Sequence, residues 1–218
     1  MSSSIVIVIP AAGQGRRFGG AVHKLLQPFG EGTVLSATLR AALVSGLEVV
    51  VVTTAALATE AARLLPRRSV ISTSDADAAL GMGRTIATGV AARSDAAGWL
   101  VLPADMPLVR PSTLRAVAQA LAQMPVAHAQ YRGRRGHPVG FGAELFSELR
   151  MLSGDEGARR LLARYPAQAV EVDDPGVLLD VDTAEDLLAA QSVAQGLAQP
   201  VVLGQTDQPQ NLSVANSA

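Results

Sequence analysis

The sequence predicts a doubly wound, mostly parallel α/β sheet with helices on both faces. Short runs of β-branched residues alternate with segments of helical periodicity along most of the chain. Strands that alternate with helices in this way become parallel neighbours joined by right-handed crossovers. Apolar residues make up 49% of the chain. Ala, Val and Leu dominate them, which suits helices packed against a sheet that is buried on both faces.

The first half of the chain contains most of the predicted parallel strands. Residues 5–9 are an unbroken run of β-branched apolar residues, which is typical of a strand buried on both faces. Residues 33–45 place Leu35, Leu39 and Leu43 four positions apart, so these leucines are expected to form the buried stripe of a helix. Further strands are predicted at residues 48–54, 69–72 and 99–102, and further helices at residues 55–65 and 81–93.

A helix and a hairpin are predicted next. Residues 111–123 are expected to be helical, because Pro111 suits the first turn of a helix. Residues 126–131 and 137–141 have the pattern of two strands, and residues 132–136 between them are rich in turn formers. This connection is therefore expected to be a hairpin turn or a flap.

Capping patterns predict the last helices. Asp155 is a candidate N-cap for a helix at residues 158–165. Asp182 and Glu185 have the spacing of a capping box at the start of the final helix. A further helix is predicted at residues 143–151 and a further strand at residues 169–172.

The length of the chain predicts a single domain with a tail. A chain of 218 residues can bury one substantial core. The domain is expected to span residues 1–195. From Gly196 onward the sequence is rich in Gln, Pro, Asn and Ser without periodicity. Residues 196–218 are therefore expected to be a disordered or loosely attached tail.

The composition excludes several kinds of binding partner and several kinds of chemical site. The chain has 18 Lys+Arg against 19 Asp+Glu and only 3% aromatic residues. No broad basic surface for nucleic acid is expected, so any phosphate binding must be local. The absence of cysteine excludes disulfides, thiolate zinc sites and cysteine nucleophiles. No apolar run approaches the roughly 20 residues of a membrane span, and the chain is expected to be cytoplasmic with no membrane partner.

A loop rich in glycine and arginine follows the first predicted strand. Gly13 and Gly15 would allow backbone N–H groups to approach an anion closely. Arg16, Arg17 and Lys24 supply positive charge that would neutralise the anion. We interpret this loop as a phosphate cradle. A simple connection between elements is the alternative interpretation of such a glycine turn.

Two further segments are expected at the same edge of the sheet. Gly81 begins a turn that leads into a helix, so Thr85 would lie near a helix N-terminus, where unpaired N–H groups favour anions. Asp105 follows the strand predicted at residues 99–102. In an open α/β sheet, ligands bind outside the carboxyl ends of the strands. Asp105 is therefore expected on the same rim as the loop at Gly13.

Acidic residues add a predicted metal site. Carboxylates are hard oxygen ligands that suit Mg²⁺. Asp105, with one or both of Asp180 and Asp182, is the predicted set of ligands, although Asp182 could instead serve only as a helix cap. A metal at this position would polarise the α-phosphate of a nucleotide, while the cationic loop stabilises the departing pyrophosphate. Nucleotidyl transfer by this route needs no protein nucleophile.

Several segments carry a resemblance to a known family. They are Pro10-Ala-Ala-Gly-Gln-Gly-Arg-Arg-Phe-Gly19 with Lys24, Gly81-Met-Gly-Arg-Thr85, Leu102-Pro-Ala-Asp-Met-Pro107, Gly136-His-Pro138, Gly154-Asp-Glu-Gly-Ala-Arg159 and Asp180-Val-Asp-Thr-Ala-Glu-Asp186. In this order and spacing they resemble the molybdenum cofactor nucleotidyltransferases, which have a Rossmann-like nucleotidyltransferase fold. The Ala-Ala-Gly form of the first loop is similar to the cytidylyltransferases of that family, whereas the guanylyltransferases tend to carry Ala-Gly-Gly.

The resemblance implies a reaction and a set of site residues. The reaction is the transfer of CMP from CTP to molybdopterin-bound molybdenum, with Mg²⁺ as cofactor and a molybdenum hydroxylase as a candidate acceptor protein. Catalytic roles are implied for Arg17, Lys24 and Asp105, and metal binding for Asp105, Asp180 and Asp182. The implied nucleotide-binding residues are Ala11, Ala12, Gly13, Gln14, Gly15, Arg16, Lys24, Gly81, Met82, Gly83 and Thr85. The implied acceptor-binding residues are His137, Pro138 and Asp155.

Other functions remain compatible with the sequence. A nucleotidyltransferase could use GTP, or act on a different phosphorylated acceptor. The loop at Gly13 could hold NADPH in an oxidoreductase, although Phe18 occupies the third glycine position of the dinucleotide-binding pattern. A protein that delivers molybdenum cofactor without catalysis is a further alternative.

The arginines of the predicted hairpin turn have two interpretations. Arg132, Arg134 and Arg135 could be solvated turn residues. They could also attract the anionic phosphate of a pterin acceptor, because guanidinium groups bind oxyanions well. The sequence does not separate these interpretations.

Overall fold

The computed structural model describes residues 4–15, 18 and 22–198 of the chain. Its strands are β1 (Ile5–Ala11), β2 (Pro28–Phe29), β3 (Gly32–Thr33), β4 (Glu48–Thr53), β5 (Val70–Ser72), β6 (Gly98–Val101), β7 (Val126–Tyr131), β8 (Arg134–Gly142) and β9 (Ala167–Glu171). Its helices are α1 (Val34–Val44), α2 (Ala55–Ala62), α3 (Asp75–Ala78), α4 (Met82–Ala91), α5 (Pro111–Ala120), α6 (Phe146–Arg150), α7 (Arg159–Arg164) and α8 (Ala184–Ala198). Short 3-10 turns lie at Lys24–Leu26, Arg67–Ser69, Ala143–Leu145 and Pro175–Leu178.

Seven strands of the described residues form the central sheet, in the order β5, β4, β1, β6, β8, β7, β9. The strands from β5 to β6 run parallel to their neighbours. Strand β8 is antiparallel to both β6 and β7, and β9 lies parallel to β7. The predicted mostly parallel sheet is confirmed. Strands β2 and β3 form a separate two-stranded ribbon.

Helices cover both faces of the sheet because successive residues of a strand point to opposite sides. Ile7 packs into the core that contains Leu35 of α1. Val8, the next residue of β1, packs into the opposite core with Val90 of α4. A Cβ atom on Gly89 would lie only 2.4 Å from Cγ1 of Val8, so α4 needs a glycine there to approach β1 closely. The predicted double winding is confirmed.

The buried stripe of α1 differs from the prediction at one position. Leu35 and Leu39 are fully buried, but Leu43 is 39% exposed, so its predicted burial is wrong. An α-helix has 3.6 residues per turn, so a spacing of four drifts away from the core after two turns. Ala42 takes the buried position instead.

The hairpin between β7 and β8 turns more tightly than predicted. Strand β8 begins at Arg134 rather than at His137, and the turn consists of Arg132 and Gly133 alone. Both turn residues have positive φ, 50° and 73°. This is the backbone of a two-residue hairpin turn whose twist matches that of the flanking strands. The arginines after the turn therefore belong to a strand.

The capping role predicted for Asp155 is wrong. Helix α7 begins at Arg159, and the residue before it, Ala158, provides no side-chain cap. Helix α8 continues past residue 195 to Ala198. Most of the expected tail, residues 199–218, lies outside the described residues. Within the part of the chain that the structure describes, no helix is both long and apolar enough to cross a membrane.

Candidate active site

The first loop leaves the sheet at the carboxyl end of β1. Ala11 and Ala12 are buried, with 1% and 2% of their surface exposed. Ring nitrogen Nε2 of His23 lies 2.9 Å from the carbonyl oxygen of Gly13 and so links the two ends of the loop. Gly15 has a φ of 62°. The predicted phosphate ligands Arg16 and Arg17 lie outside the described residues.

Lys24 follows this loop and joins two acidic segments. Its ammonium nitrogen Nζ donates to Oδ2 of Asp105 at 2.6 Å and to Oδ1 of Asp182 at 2.7 Å. These side chains are largely buried, with between 13% and 18% of their surface exposed. Burial alone would lower the pKa of Lys24, but the two carboxylates outweigh it and raise the pKa above its ordinary value. Lys24 is therefore a fixed cation between two anions.

Backbone contacts hold the two aspartate segments side by side. Asp105 lies just beyond β6, and its carbonyl oxygen accepts a hydrogen bond of 2.9 Å from the amide of Val181. The hydroxyl of Thr38 in α1 donates to the carbonyl oxygen of Ala104 at 2.9 Å. The loop that carries Asp105 is thus fixed to α1 on one side and to the segment before α8 on the other.

Asp174 also connects the loop of Asp105 to the segment before α8, at a greater distance from Lys24. This carboxylate is 2% exposed. It accepts hydrogen bonds from the amide of Arg110 at 2.8 Å, the hydroxyl of Thr113 at 2.6 Å and the amide of Gly176 at 3.0 Å. It therefore ties the start of α5, which ends the loop of Asp105, to the 3-10 turn that leads to Asp180 and Asp182.

The capping box at α8 lies one residue later than predicted. Thr183 Oγ1 accepts from the amide of Asp186 at 3.2 Å, and Oδ2 of Asp186 accepts from the amide of Thr183 at 2.8 Å. The pairing predicted for Asp182 and Glu185 is therefore wrong. Because Thr183 caps the helix, the carboxylate of Asp182 can pair with Lys24 instead.

The glycine turn before α4 contacts a loop from the second half of the chain. The amide of Gly83 donates to the carbonyl oxygen of Gly154 at 2.9 Å. The amide of Gly154 in turn donates to the carbonyl oxygen of Leu80 at 2.8 Å. A Cβ atom on Gly81, whose φ is 92°, would lie 2.5 Å from the carbonyl carbon of Gly154 and 2.7 Å from Oδ1 of Asp155. Glycine is therefore required where these two backbones meet.

Two adjoining cavities lie at this edge of the sheet. The first, which we call the loop cavity, has a volume of about 450 Å³ and is lined by the first loop, Lys24 and the start of α4. The second, which we call the hairpin cavity, has a volume of about 690 Å³ and is lined by β8, the segment before α7 and the segment before α8. The residues that line both cavities are Met82, Pro103, Asp105, Asp155 and Asp182.

His137 contributes a buried polar atom to the hairpin cavity. Its Nδ1 is buried and has no hydrogen-bond partner among the described residues. Burial lowers the pKa of His137, so the neutral ring is favoured at neutral pH. Pro138 is buried, and it is not among the residues that line the cavity.

The acidic residues Asp105, Asp180 and Asp182 meet some of the requirements of a site for a hard divalent cation. Among residues 4–15, 18 and 22–198, no three His, Asp or Glu side chains form a ready-made metal cluster. Oδ1 of Asp105 is nevertheless buried and has no hydrogen-bond partner there, which is costly unless a ligand supplies one. Asp180 lies on the wall of the hairpin cavity, where loss of hydration raises the pKa of its carboxyl. The neighbouring carboxylates of Asp105 and Asp182 add to this effect.

Most predicted site residues reach one of the two cavities. Gly83 is an exception, because it packs against the backbone of Ser153 instead. No role is predicted for His23, Thr38 or Asp174 from the sequence alone. A position between a glycine loop and the chain's only lysine could have drawn attention to His23. Nothing local distinguishes Thr38 or Asp174. The predicted residues that line the loop cavity are Ala11, Ala12, Gly13, Gln14, Gly15, Lys24, Gly81, Met82, Thr85, Asp105, Asp155 and Asp182.

This sheet, with a glycine loop and acidic residues meeting at the carboxyl ends of its strands, defines a nucleotidyltransferase of the Rossmann-like α/β class. The chain belongs to the MobA-like NTP transferase domain family, whose model matches residues 7–173. It is 34% identical over 201 residues to the purine catabolism protein PucB of Bacillus subtilis. That match covers 85% of this chain and 95% of PucB.

Solved structures agree with the family assignment. Rv0371c of Mycobacterium tuberculosis H37Rv is 30% identical and superposes with a TM-score of 0.75, covering 87% of this chain and 99% of that one. A complex of Rv0371c with manganese gives 27% identity and a TM-score of 0.71, with the same coverage. A nucleotidyl transferase from Methanothermobacter, Mth528, is 27% identical with a TM-score of 0.74, covering 89% of this chain and 99% of that one.

Proposed function

We propose that this protein is a Mg²⁺-dependent cytidylyltransferase that transfers CMP from CTP to a molybdopterin-type acceptor and releases pyrophosphate. The junction of the loop and hairpin cavities at Asp105 and Asp182 carries the proposal. A nucleotide in one cavity and an acceptor in the other would meet at this junction. Holding two reactants in adjoining sites removes much of the entropic cost of their encounter.

The loop cavity supplies the nucleotide site in this proposal. The backbone from Ala11 to Gly15 offers amide groups to the triphosphate. Gly81 is the N-cap residue of α4 and has no side chain that could cap the first amides of the helix. The amide of Gly83 already donates to Gly154, so the other amides of the first turn are the ones proposed to bind phosphate oxygens. Thr85, which is 5% exposed, lies one turn further along the same wall.

Lys24 supplies positive charge at the junction. Its raised pKa keeps the ammonium group protonated at neutral pH. An acceptor phosphate oxygen attacks the α-phosphorus, and the bond from that phosphorus to the pyrophosphate oxygen breaks. The negative charge that develops on the departing pyrophosphate is stabilised by Lys24, together with Arg16 and Arg17 of the first loop.

Asp105, Asp180 and Asp182 would hold the magnesium ion. The unpartnered Oδ1 of Asp105 supports this assignment, as does the manganese bound by the related Rv0371c. A divalent ion bound there would neutralise phosphate charge and increase the electrophilicity of the α-phosphorus. The chain's own contribution is to hold the carboxylates together through Lys24 and through the backbone bond from Val181 to Asp105.

The hairpin cavity is the proposed acceptor site. His137 and Asp155 line it, and Pro138 adjoins His137. The molybdopterin-type acceptor rests on the motif resemblance, and a molybdenum hydroxylase is the proposed recipient of the finished cofactor. We place the reaction in the cytoplasm, which the absence of cysteine fits. We assign the activity to residues 1–195 and treat residues 196–218 as an accessory tail.

Calorimetric titration with CTP, GTP and ATP, each with and without Mg²⁺, tests the nucleotide site. We expect CTP to bind most tightly and only with the metal; no binding of any triphosphate would refute the proposal. Chromatographic analysis of products with a molybdopterin acceptor then tests the reaction. Asp105→Asn should abolish product formation, whereas Asp173→Asn, an exposed neighbour of the buried Asp174, should not.

Two outcomes would favour the alternatives. Tighter binding of GTP would indicate a guanylyltransferase on the same fold. Delivery of cofactor to a hydroxylase that survives Asp105→Asn would indicate a carrier without catalysis. An NADPH-dependent oxidoreductase is less compatible with the family to which the chain belongs.

A further inference from the structure

Three arginines on the wall of the hairpin cavity form no ion pair with any described residue. Arg134 and Arg135 begin β8, and Arg159 begins α7. All three line the cavity. Within the described part of the chain, none of their side chains makes a hydrogen bond or an ion pair. By contrast, Arg160, the next residue after Arg159, is paired with Glu156 at 2.5 Å.

The cavity contains charges of both signs. Asp105 and Asp182, at the junction with the loop cavity, share the ammonium group of Lys24. The three arginines come from two elements that are distant in sequence, the hairpin strand β8 and helix α7. Acidic residues also line the cavity, but among the described residues none of them forms an ion pair with these arginines; they are Asp105, Asp155, Glu156, Asp180 and Asp182.

His137 is influenced by charges of both signs. Burial is the main cause of its lowered pKa; the charge of Asp105 and a backbone hydrogen bond with Val101 raise the pKa, and the charges of Arg159 and Arg135 lower it. The electrostatic influence of both arginines on one ring indicates that they approach the same region from different elements. Because neither guanidinium group forms an ion pair among the described residues, both are available to an anionic ligand.

We propose that the hairpin cavity selects acceptors that carry a second anionic group besides the reacting phosphate, and that Arg134, Arg135 and Arg159 bind this second group. This inference rests on the proposed function, because it assumes that the hairpin cavity is the acceptor site. The acceptor class is thereby a phosphate ester with a second oxyanion, rather than a phosphate ester with a neutral remainder. Guanidinium groups suit this role, because their planar array of donors binds an oxyanion through paired hydrogen bonds.

Binding of two matched probes tests the proposal. Butyl phosphate carries one phosphate, and butane-1,4-diyl bisphosphate carries a second one at the far end. Each is titrated calorimetrically into the full chain with Mg²⁺ and saturating α,β-methylene CTP, a non-reacting analogue. We expect the bisphosphate to bind at least about tenfold more tightly, as expected for charged hydrogen bonds. A twofold difference would follow from its two equivalent ends alone.

Substitutions of the arginines test whether they cause the preference for the bisphosphate. Because Arg135 and Arg159 are exposed, Arg135→Gln with Arg159→Gln should leave the fold intact and remove the preference for the bisphosphate. Arg160→Gln is the matched control and should retain the preference. Equal binding of the two probes, no binding of either probe, or a preference that survives the double substitution would each overturn the inference.

The titration of α,β-methylene CTP alone separates this inference from the proposed function. If the analogue binds with Mg²⁺ while the two phosphate probes bind equally, the second anion site is refuted and the nucleotide site is not. If the analogue fails to bind, the proposed function itself is refuted.

Discussion

The ammonium nitrogen of Lys24 lies 2.7 Å from Oδ1 of Asp182, although 158 residues separate the two in sequence. The same nitrogen lies 2.6 Å from Oδ2 of Asp105. Lys24 thus connects the first loop, the loop after β6 and the segment before α8. It is also the only lysine in the chain, so substitutions and amine reagents can address this connection selectively.

Lys24→Met should reduce turnover by about 100-fold or more, since losing one preorganised charge at a developing anion typically costs this much. The methionine keeps much of the side-chain length but leaves Asp105 and Asp182 without their shared cation. Steady-state release of pyrophosphate from CTP is the measurement. Arg63→Met, which removes an exposed cation paired with Glu60, is the control and should leave the rate unchanged. Full activity of Lys24→Met would contradict the assigned role.

CTP with Mg²⁺ should protect Lys24 from reductive methylation. Modification of this residue is expected to be slow even in the free protein, because the carboxylates raise its pKa and so reduce the fraction of neutral amine. Asp182→Asn should lower that pKa and accelerate the labelling. Mass spectrometry of the peptide that contains Lys24 gives the rate. Identical labelling with and without nucleotide would argue against triphosphate binding beside Lys24.

Gly81→Ala should be more damaging than Gly133→Ala. Both glycines have positive φ, 92° and 73°, so each substitution is expected to cost about 1–2 kcal/mol in backbone strain. Only at Gly81 would the new Cβ collide with a neighbour, 2.5 Å from the carbonyl carbon of Gly154, whereas nothing lies within 4 Å at Gly133. Urea unfolding measures the difference in stability, and titration with CTP should show weaker binding for Gly81→Ala alone. Equal effects of the two substitutions would mean that the contact with Gly154 is unimportant.

Asp174→Asn should lower the free energy of unfolding by about 2–4 kcal/mol, because a buried carboxylate that accepts several hydrogen bonds is replaced by a weaker acceptor. Its donors are the amides of Arg110 and Gly176 and the hydroxyl of Thr113. Chemical denaturation is the measurement. The exposed Asp173 offers a matched control, for which less than about 0.5 kcal/mol is expected. A similar loss for Asp173→Asn would indicate a general charge effect instead.

Ala12→Gly should shift nucleotide preference from CTP towards GTP. Ala12 is 2% exposed and lines the loop cavity, so loss of its methyl group enlarges the nucleotide site. A difference of one methyl group in a pocket typically changes discrimination by about tenfold or more. Competition between the two triphosphates in calorimetric titrations measures the change. If the ratio of their affinities is unaltered, the choice of cytosine over guanine does not depend on this position.

Much of the architecture could be predicted from local pattern. The β-branched runs predicted the strands because such residues suit a strand buried on both faces. The order of strands and helices predicted parallel crossovers, and it predicted that Asp105 and the loop at Gly13 share one rim. The likeness of the motifs extended this prediction to the family of the chain.

The details that failed depend on contacts between distant segments. The capping box could not be assigned to Thr183 and Asp186 from the sequence, because Asp182 and Glu185 have equally suitable spacing. The choice depends on Lys24, which binds Asp182 from the other end of the domain. The exposure of Leu43 likewise depends on where α1 meets the sheet.

The sequence by itself determined most of the strands and helices, the class of fold and the types of residue that line the site, because these follow from periodicity, turn chemistry and side-chain chemistry. Only the tertiary structure decided that Lys24 pairs with both Asp105 and Asp182, and that Arg134, Arg135 and Arg159 line one cavity without forming an ion pair to any described residue. Electrostatic interactions depend on distance and burial. Both quantities are set by how strands far apart in sequence are placed side by side in the sheet.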